Sequence, residues 1–226
     1  FFDVDGTLTA TRVWQGLMDY FSSHRLRRAT HLAYLILHYP LYLIRRVRLI
    51  SEAAFRRPWA AHLAWYMRNY SLSEADKVWE WVVQEYVERH WRQDVCTLLA
   101  RHRSNADLVV LVSGGPLPLL QRIGAQIGAD HVIGTQFEVR NGRFTGRACE
   151  PICIDADKAI LAKDYLEQQQ LGVDLRASFA YADSISDLPL LEMVGHPVAV
   201  YPDRSLRMIA LEKGWEIFPG TTIPQE

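Results

Sequence analysis

The chain has 226 residues, 49% of them hydrophobic and 23% charged, enough for one large domain or a core with a smaller insert. Its formal charge of −1 gives no electrostatic case for nucleic acid as a partner. Three cysteines (Cys96, Cys149 and Cys153) cannot form a closed disulfide set and include no C-x-x-C pair, which argues against structural zinc and for a reducing, cytoplasmic compartment.

Residues 1–4 form an apolar stretch around Asp3 and run into Asp5-Gly6-Thr7, a strand ending in a turn. Opening at Phe1 inside a strand, without Met, is expected to reflect a trimmed start. From about residue 13 to 103 the apolar spacing is helical, with breaks expected near Pro40, Pro58 and Ser71. Ser73, with Asp76 three residues on, is the expected N-cap of a long helix through Trp79, Val82, Val83, Tyr86 and Val87.

The texture of this region differs from the rest. Between residues 25 and 70 the bases are Arg25, Arg27, Arg28, Arg45, Arg46, Arg48, Arg56, Arg57 and Arg68, against the single acid Glu52. Six of the seven tryptophans precede residue 92. An inserted domain is therefore expected at 11–90, with residues 1–10 and 91–226 forming the core. Residues 29–44 are uncharged but hold His31, His38 and Pro40, and a membrane span needs about 20 apolar residues. Two helical segments hinged at Pro40 inside a bundle are expected instead. The flanking arginines also suit a peripheral contact with anionic membrane. The plainer account makes them solvated faces of helices whose stems cover apolar surface, with His31 and His38 in the core or at its rim.

After residue 103 strands and helices alternate. Residues 108–112 are a continuous apolar run of the kind found in buried parallel strands. A helix (117–127), a strand (131–133) and a hairpin around Asn141-Gly142 follow. Next come a helix (157–170), a strand (178–182), a short helix (188–194), a strand (197–200) and a last helix (205–213). The pattern is α/β with a mainly parallel sheet.

The chemistry lies at four places. Asp3 and Asp5 fall on one side of an extended chain, at the strand's carboxyl end where open α/β sheets bind ligands. One carboxylate can attack phosphorus while the other protonates the leaving alkoxide. An EF-hand reading fails, because no third acid and no closing glutamate follow at the required spacing. Taken alone, the stretch also reads as a turn rich in aspartate and glycine. Ser113-Gly114-Gly115 after the apolar run offers a hydroxyl and free backbone at a helix N-terminus, a cradle for phosphate. Lys158 opens a helix and can reach a phosphate, although a lone lysine there is commonly a surface residue. Asp183 and Asp187 flank a turn after a strand. They read as an N-cap and a first-turn acid, or as hard oxygen donors that would bind Mg²⁺ beside Asp3.

Together these segments resemble the four motifs of the haloacid dehalogenase superfamily in order and spacing, over about residues 1–218. The likeness is strongest to the branch containing phosphoserine phosphatase, which has a helical cap inserted after the first motif. The resemblance implies a Rossmann-like core with an all-helical cap, Asp3 as aspartyl-phosphate nucleophile and Asp5 as general acid, then base. It implies phosphoryl contacts from Ser113, Gly114 and Lys158. Mg²⁺ would be bound by Asp3, the Asp5 carbonyl and Asp183, with Asp187 close by through water. Dehalogenases lack the second acid, so Asp5 points to phosphate monoesters. Phosphoserine phosphatases carry an acid nine positions after the nucleophile to hold the substrate amine; here that position is Arg12, a candidate substrate contact that would repel an ammonium group. The expected substrate is a small phosphorylated metabolite. A lipid phosphate such as phosphatidylglycerophosphate, or transfer to an acceptor other than water, is the alternative.

Overall fold

The computed structural model describes residues 1–47 and 49–220, and Arg48 lies outside them. Strand β1 (Val110–Pro116) pairs in parallel with β2 (His131–Thr135). The hairpin strands β3 (Phe137–Arg140) and β4 (Arg143–Ala148) are antiparallel, and β5 (Phe179–Ala182), β6 (His196–Val200) and β7 (Glu216–Phe218) are parallel. Residues 1–3 join the two parallel groups. Phe2 donates its amide to the Val110 carbonyl (2.9 Å) and accepts from the Val112 amide (2.9 Å). On the other side Asp3 donates to the Tyr181 carbonyl (3.0 Å), and Phe1 accepts from the Tyr181 amide (2.9 Å). The resulting order is β2-β1-(1–3)-β5-β6-β7, and the chain reverses its winding direction at residues 1–3.

Strand periodicity explains the two cores. Val110, Val112, Ala180, Ala182 and Ala199 face one of them, while Phe2, Leu111, Tyr181, Val198 and Val200 face the other. The first core is closed by α7 (Ala156–Gln168), α8 (Leu188–Glu192) and α9 (Arg204–Lys213). The second receives α5 (Gln93–Ser104) and α6 (Leu117–Ile127). Burial on both faces is why the strands read as unbroken apolar runs. The strand over 108–112 begins later and continues through Ser113-Gly114-Gly115, where its register shifts.

The chain leaves the sheet at Thr9 and returns at Trp91, and these residues form an antiparallel bridge. Between them lie α1 (Val13–Ser23), α2 (Arg28–Arg46), α3 (Glu52–His62) and α4 (Leu72–Trp81), which continues as a π turn over Val82–Val87. Their apolar side is continuous with the sheet, because Val4 and Leu8 belong to the same cluster as Leu17, Tyr34, Tyr66 and Trp79.

Three expectations are corrected here. Pro40 sits inside an uninterrupted α2, so there is no hinge. The carbonyl that Pro40 leaves without a donor belongs to Ile36, four places earlier, which lies on the exposed side of the helix (65%). Pro58 is likewise inside α3. The N-cap of α4 is Ser71, not Ser73, because Ser71 and Glu74 form a reciprocal capping box. No helix among the described residues is long and apolar enough to cross a membrane.

Candidate active site

The carboxyl ends of residues 1–3, β1 and β5 meet at the switch point of the sheet, where doubly wound folds bind ligands. Asp3 is fixed there by its backbone bonds and is 2% exposed. One of its carboxylate oxygens accepts from the Thr7 hydroxyl (3.0 Å) and the other from Lys158 Nζ (2.7 Å). Asp5 follows two residues later, its Oδ1 accepting from the Val13 amide at the start of α1 (2.8 Å). Burial, reinforced by the charge of Asp3, pushes its carboxyl up to about 7. It therefore holds its proton to near neutrality, as a donor to a leaving group must.

Gly6 makes this turn possible. Its φ is +92°, and a Cβ there would stand 2.1 Å from Asp183 Oδ2. The motif glycine thus lets the turn and the acid of another strand share one space.

Ser113 is fully buried, and no described residue bonds its hydroxyl. Gly114 leaves its backbone open beside Ile154, which a Cβ would meet at 3.0 Å. Lys158 is not a surface residue. It is 4% exposed on the first turn of α7, bonded to Asp3 and at 2.5 Å from Asp187. Burial alone would lower its pKa, but the charges of Asp187 and Asp3 outweigh it and hold the ammonium above its usual range.

Asp183 directly follows β5, and Asp187 lies in the short turn before α8. Carboxylate oxygens of Asp3, Asp183 and Asp187 lie within 4.8 Å of one another, all buried. Burial, then the nearby charge of Asp3, raises the Asp183 pKa; burial raises that of Asp187. Asp183 Oδ1 has no partner among the described residues. A cluster of hard oxygen donors, short of positive charge and with one oxygen free, fits a small divalent cation such as Mg²⁺.

Arg12 bears on that fit directly. Its guanidinium donates to the Asp5 carbonyl (3.1 Å) and pairs with Asp183 Oδ2 (3.3 Å). Both groups belong to the set expected to hold the cation, so Arg12 would compete with it at the Asp5 carbonyl while Asp183 Oδ1 stays free. Its side chain is 44% exposed and long enough to turn aside.

Asp3, Asp5, Arg12, Ser113, Gly114, Lys158 and Asp187 all line one cavity of about 610 Å³. The wall formed by α2 and α3 is mixed, with apolar Leu35, Tyr39 and Trp59 beside the charged Arg45, Glu52 and Arg56. Further residues hold this arrangement without standing out in the sequence. Thr7 orients Asp3, while Arg92 donates Nε to the Gly6 carbonyl (3.2 Å) and stacks on Tyr201 at 3.8 Å. Asp203 accepts from the Ile185 amide (2.9 Å) and gives its own amide to the Asp183 carbonyl (2.8 Å). An aspartate before the last helix signals an N-cap, but its second bond to the Asp183 loop needs the fold to be seen.

Two arginines of α3 also depart from the solvated-face account. Arg56 pairs with Asp155 (3.0 Å), and Arg57 pairs with Glu150 (2.5 Å) and Asp157. They tie the helical region to the segment that presents Lys158.

Known proteins agree with this architecture. A protein of unknown function from Bordetella pertussis Tohama I has a similar fold, with a TM-score of 0.82 at 24% identity over 96% of this chain and 95% of that one. The inhibition of morphological differentiation protein of Streptomyces azureus is 32% identical over 162 residues, 70% of this chain but 56% of its own length. A phosphoserine phosphatase of Mycobacterium tuberculosis is 29% identical over 221 residues, 96% of this chain and 69% of its own. The sequence profile of the haloacid dehalogenase-like hydrolases matches residues 1–192, which take in Asp3, Ser113, Lys158 and Asp183, and the chain belongs to that family.

Proposed function

We propose that the chain is a phosphatase that hydrolyses phosphate monoesters of small metabolites through a covalent intermediate on Asp3. The convergence of Asp3, Asp5, Ser113 and Lys158 on one cavity carries this reading. An Asp3 oxygen attacks phosphorus, forming an acyl-phosphate bond as the ester P–O bond breaks, and Asp5 gives its proton to the departing alkoxide. Asp5, now a carboxylate, takes a proton from water as that water attacks phosphorus, and phosphate leaves with Asp3 restored. Ser113 and the Gly114 amide would hold phosphoryl oxygens, and Lys158 would offset the charge gathering on them. Mg²⁺ held by Asp3, the Asp5 carbonyl and Asp183, with Asp187 beside it, would shield carboxylate from phosphate.

In this reading residues 11–90 are the cap of the active site. The antiparallel bridge between Thr9 and Trp91 supports an insertion at that point. Arg12 within the cavity favours substrates without an ammonium group near the phosphate, which sets free phosphoserine aside. Asp3→Asn should reduce turnover of p-nitrophenyl phosphate with Mg²⁺ to below about a thousandth of the parent. Parental activity in that variant would overturn the mechanism. A panel of phosphorylated metabolites and lipid phosphates, with the same variant as blank, identifies the substrate class.

A further inference from the structure

Helix α2 buries only Tyr34 and His38. Leu32, Ile36 and Leu43 recur along its outer side and are 60%, 65% and 44% exposed, and Tyr39, 60% exposed, lies where that side meets the cavity. Leu37 and Ile44 beside them are exposed as well. No charged residue interrupts residues 29–44. A helix on a water-facing surface carries charge on its outer face, and a contiguous apolar area of this extent marks a contact site. Both ends of the stripe are basic, with Arg25, Arg27 and Arg28 before it and the exposed Arg46 after it, while Arg45 is paired with Glu52 (2.7 Å).

The charge pattern selects the occupant. In a two-fold dimer through this face, parallel α2 helices would set each arginine cluster on its own copy. Antiparallel ones would set each cluster on the other, and both arrangements repel. The outer side of a helix is convex and has no groove to grip a peptide. A bilayer accepts a convex apolar stripe, takes tyrosine at the depth of its headgroups and, when anionic, attracts arginines at both ends. We propose that α2 lies flat on an anionic lipid surface, about 28 Å of helix along the interface. Leu35 and Tyr39 of the same helix also line the catalytic cavity, so docking would set that wall of the cavity at the membrane.

The test is co-sedimentation of the full chain with phosphatidylcholine vesicles, with and without phosphatidylglycerol. Binding is expected to the anionic vesicles and to fall as salt rises from about 0.1 to 1 M, where screening shortens to roughly 3 Å. Replacing both Arg28 and Arg46 with alanine should weaken binding roughly thirtyfold, about fivefold for each arginine near an anionic surface. Ile36→Glu with Leu43→Glu should abolish binding while the melting temperature and p-nitrophenyl phosphate turnover stay at parental values. Absence of binding to anionic vesicles, or parental binding in both variants, would overturn the proposal. So would dimerisation that Ile36→Glu breaks in a protein that ignores vesicles, or capture by an acidic polypeptide alone.

Discussion

Asp5 and Asp3 are chemically alike and two residues apart, yet their surroundings differ. Asp3 is held by a lysine and a hydroxyl, the partners of an anion. Asp5 has one backbone amide and a carboxyl raised to about 7 by burial and by its neighbour's charge. In the proposed mechanism the first attacks and the second gives up a proton. Asp5→Asn should therefore cost about 10²- to 10⁴-fold in kcat on alkyl phosphates, whose leaving group needs that proton. On aryl phosphates the loss should be much smaller, and equal losses on the two ester classes would remove Asp5 from the role of acid. The residues of this pair stand out in the sequence because a polar side chain at the end of an apolar strand is conspicuous. Thr7 and Arg92 do not, because threonine and arginine are ordinary in loops and what they bond to is far away or hidden.

Among the elements, α2 and α3 meet through a pair of histidines. His38 Nε2 and His62 Nδ1 are 3.1 Å apart, and burial, with His62 beside it, pushes His38 down to about 4. The neutral form is favoured in the fold, so its contribution is complete above the ordinary histidine pKa near 6.5 and is lost as pH falls towards 4. Stability should thus decline between those values by no more than about 1.4 kcal/mol per pH unit for one proton. His38→Gln, which removes the titrating ring, should flatten the decline in thermal melts, and an unchanged slope would show that other groups cause it. At this scale the periodic helices and the Asn141-Gly142 hairpin were readable, since both residues take positive φ as the tight turn demands. Proline misled, because its penalty depends on whether water reaches the orphaned carbonyl, a tertiary fact. Ser73 misled because Ser71 and Ser73 each have an acid three residues on, and packing decides between them. Strand β7 was missed, being three residues with a glutamate at its start.

Across the molecule, Arg56 and Arg57 connect the helical region to the segment before Lys158. Partly exposed pairs contribute only about 0.2–1 kcal/mol each, so their value lies in geometry more than stability. Arg57→Ala should leave the melting temperature within a few degrees of the parent while raising KM up to about fivefold. A large fall in melting temperature with KM unchanged would make the pairs structural. Such contacts join residues about a hundred positions apart, and local pattern carries no trace of them. Cavity shape is equally a product of assembly, because its wall opposite Asp3 comes from α2 and α3, far from Ser113 and Lys158 in sequence.

The strands β1 and β5 do not bond to each other; each bonds to residues 1–3. That segment is the keystone between two wings, and Asp3 is part of it. A wing standing without its mate has nothing to hold the carboxylate against Lys158. In the proposed mechanism the nucleophile is therefore aimed only where both wings are joined.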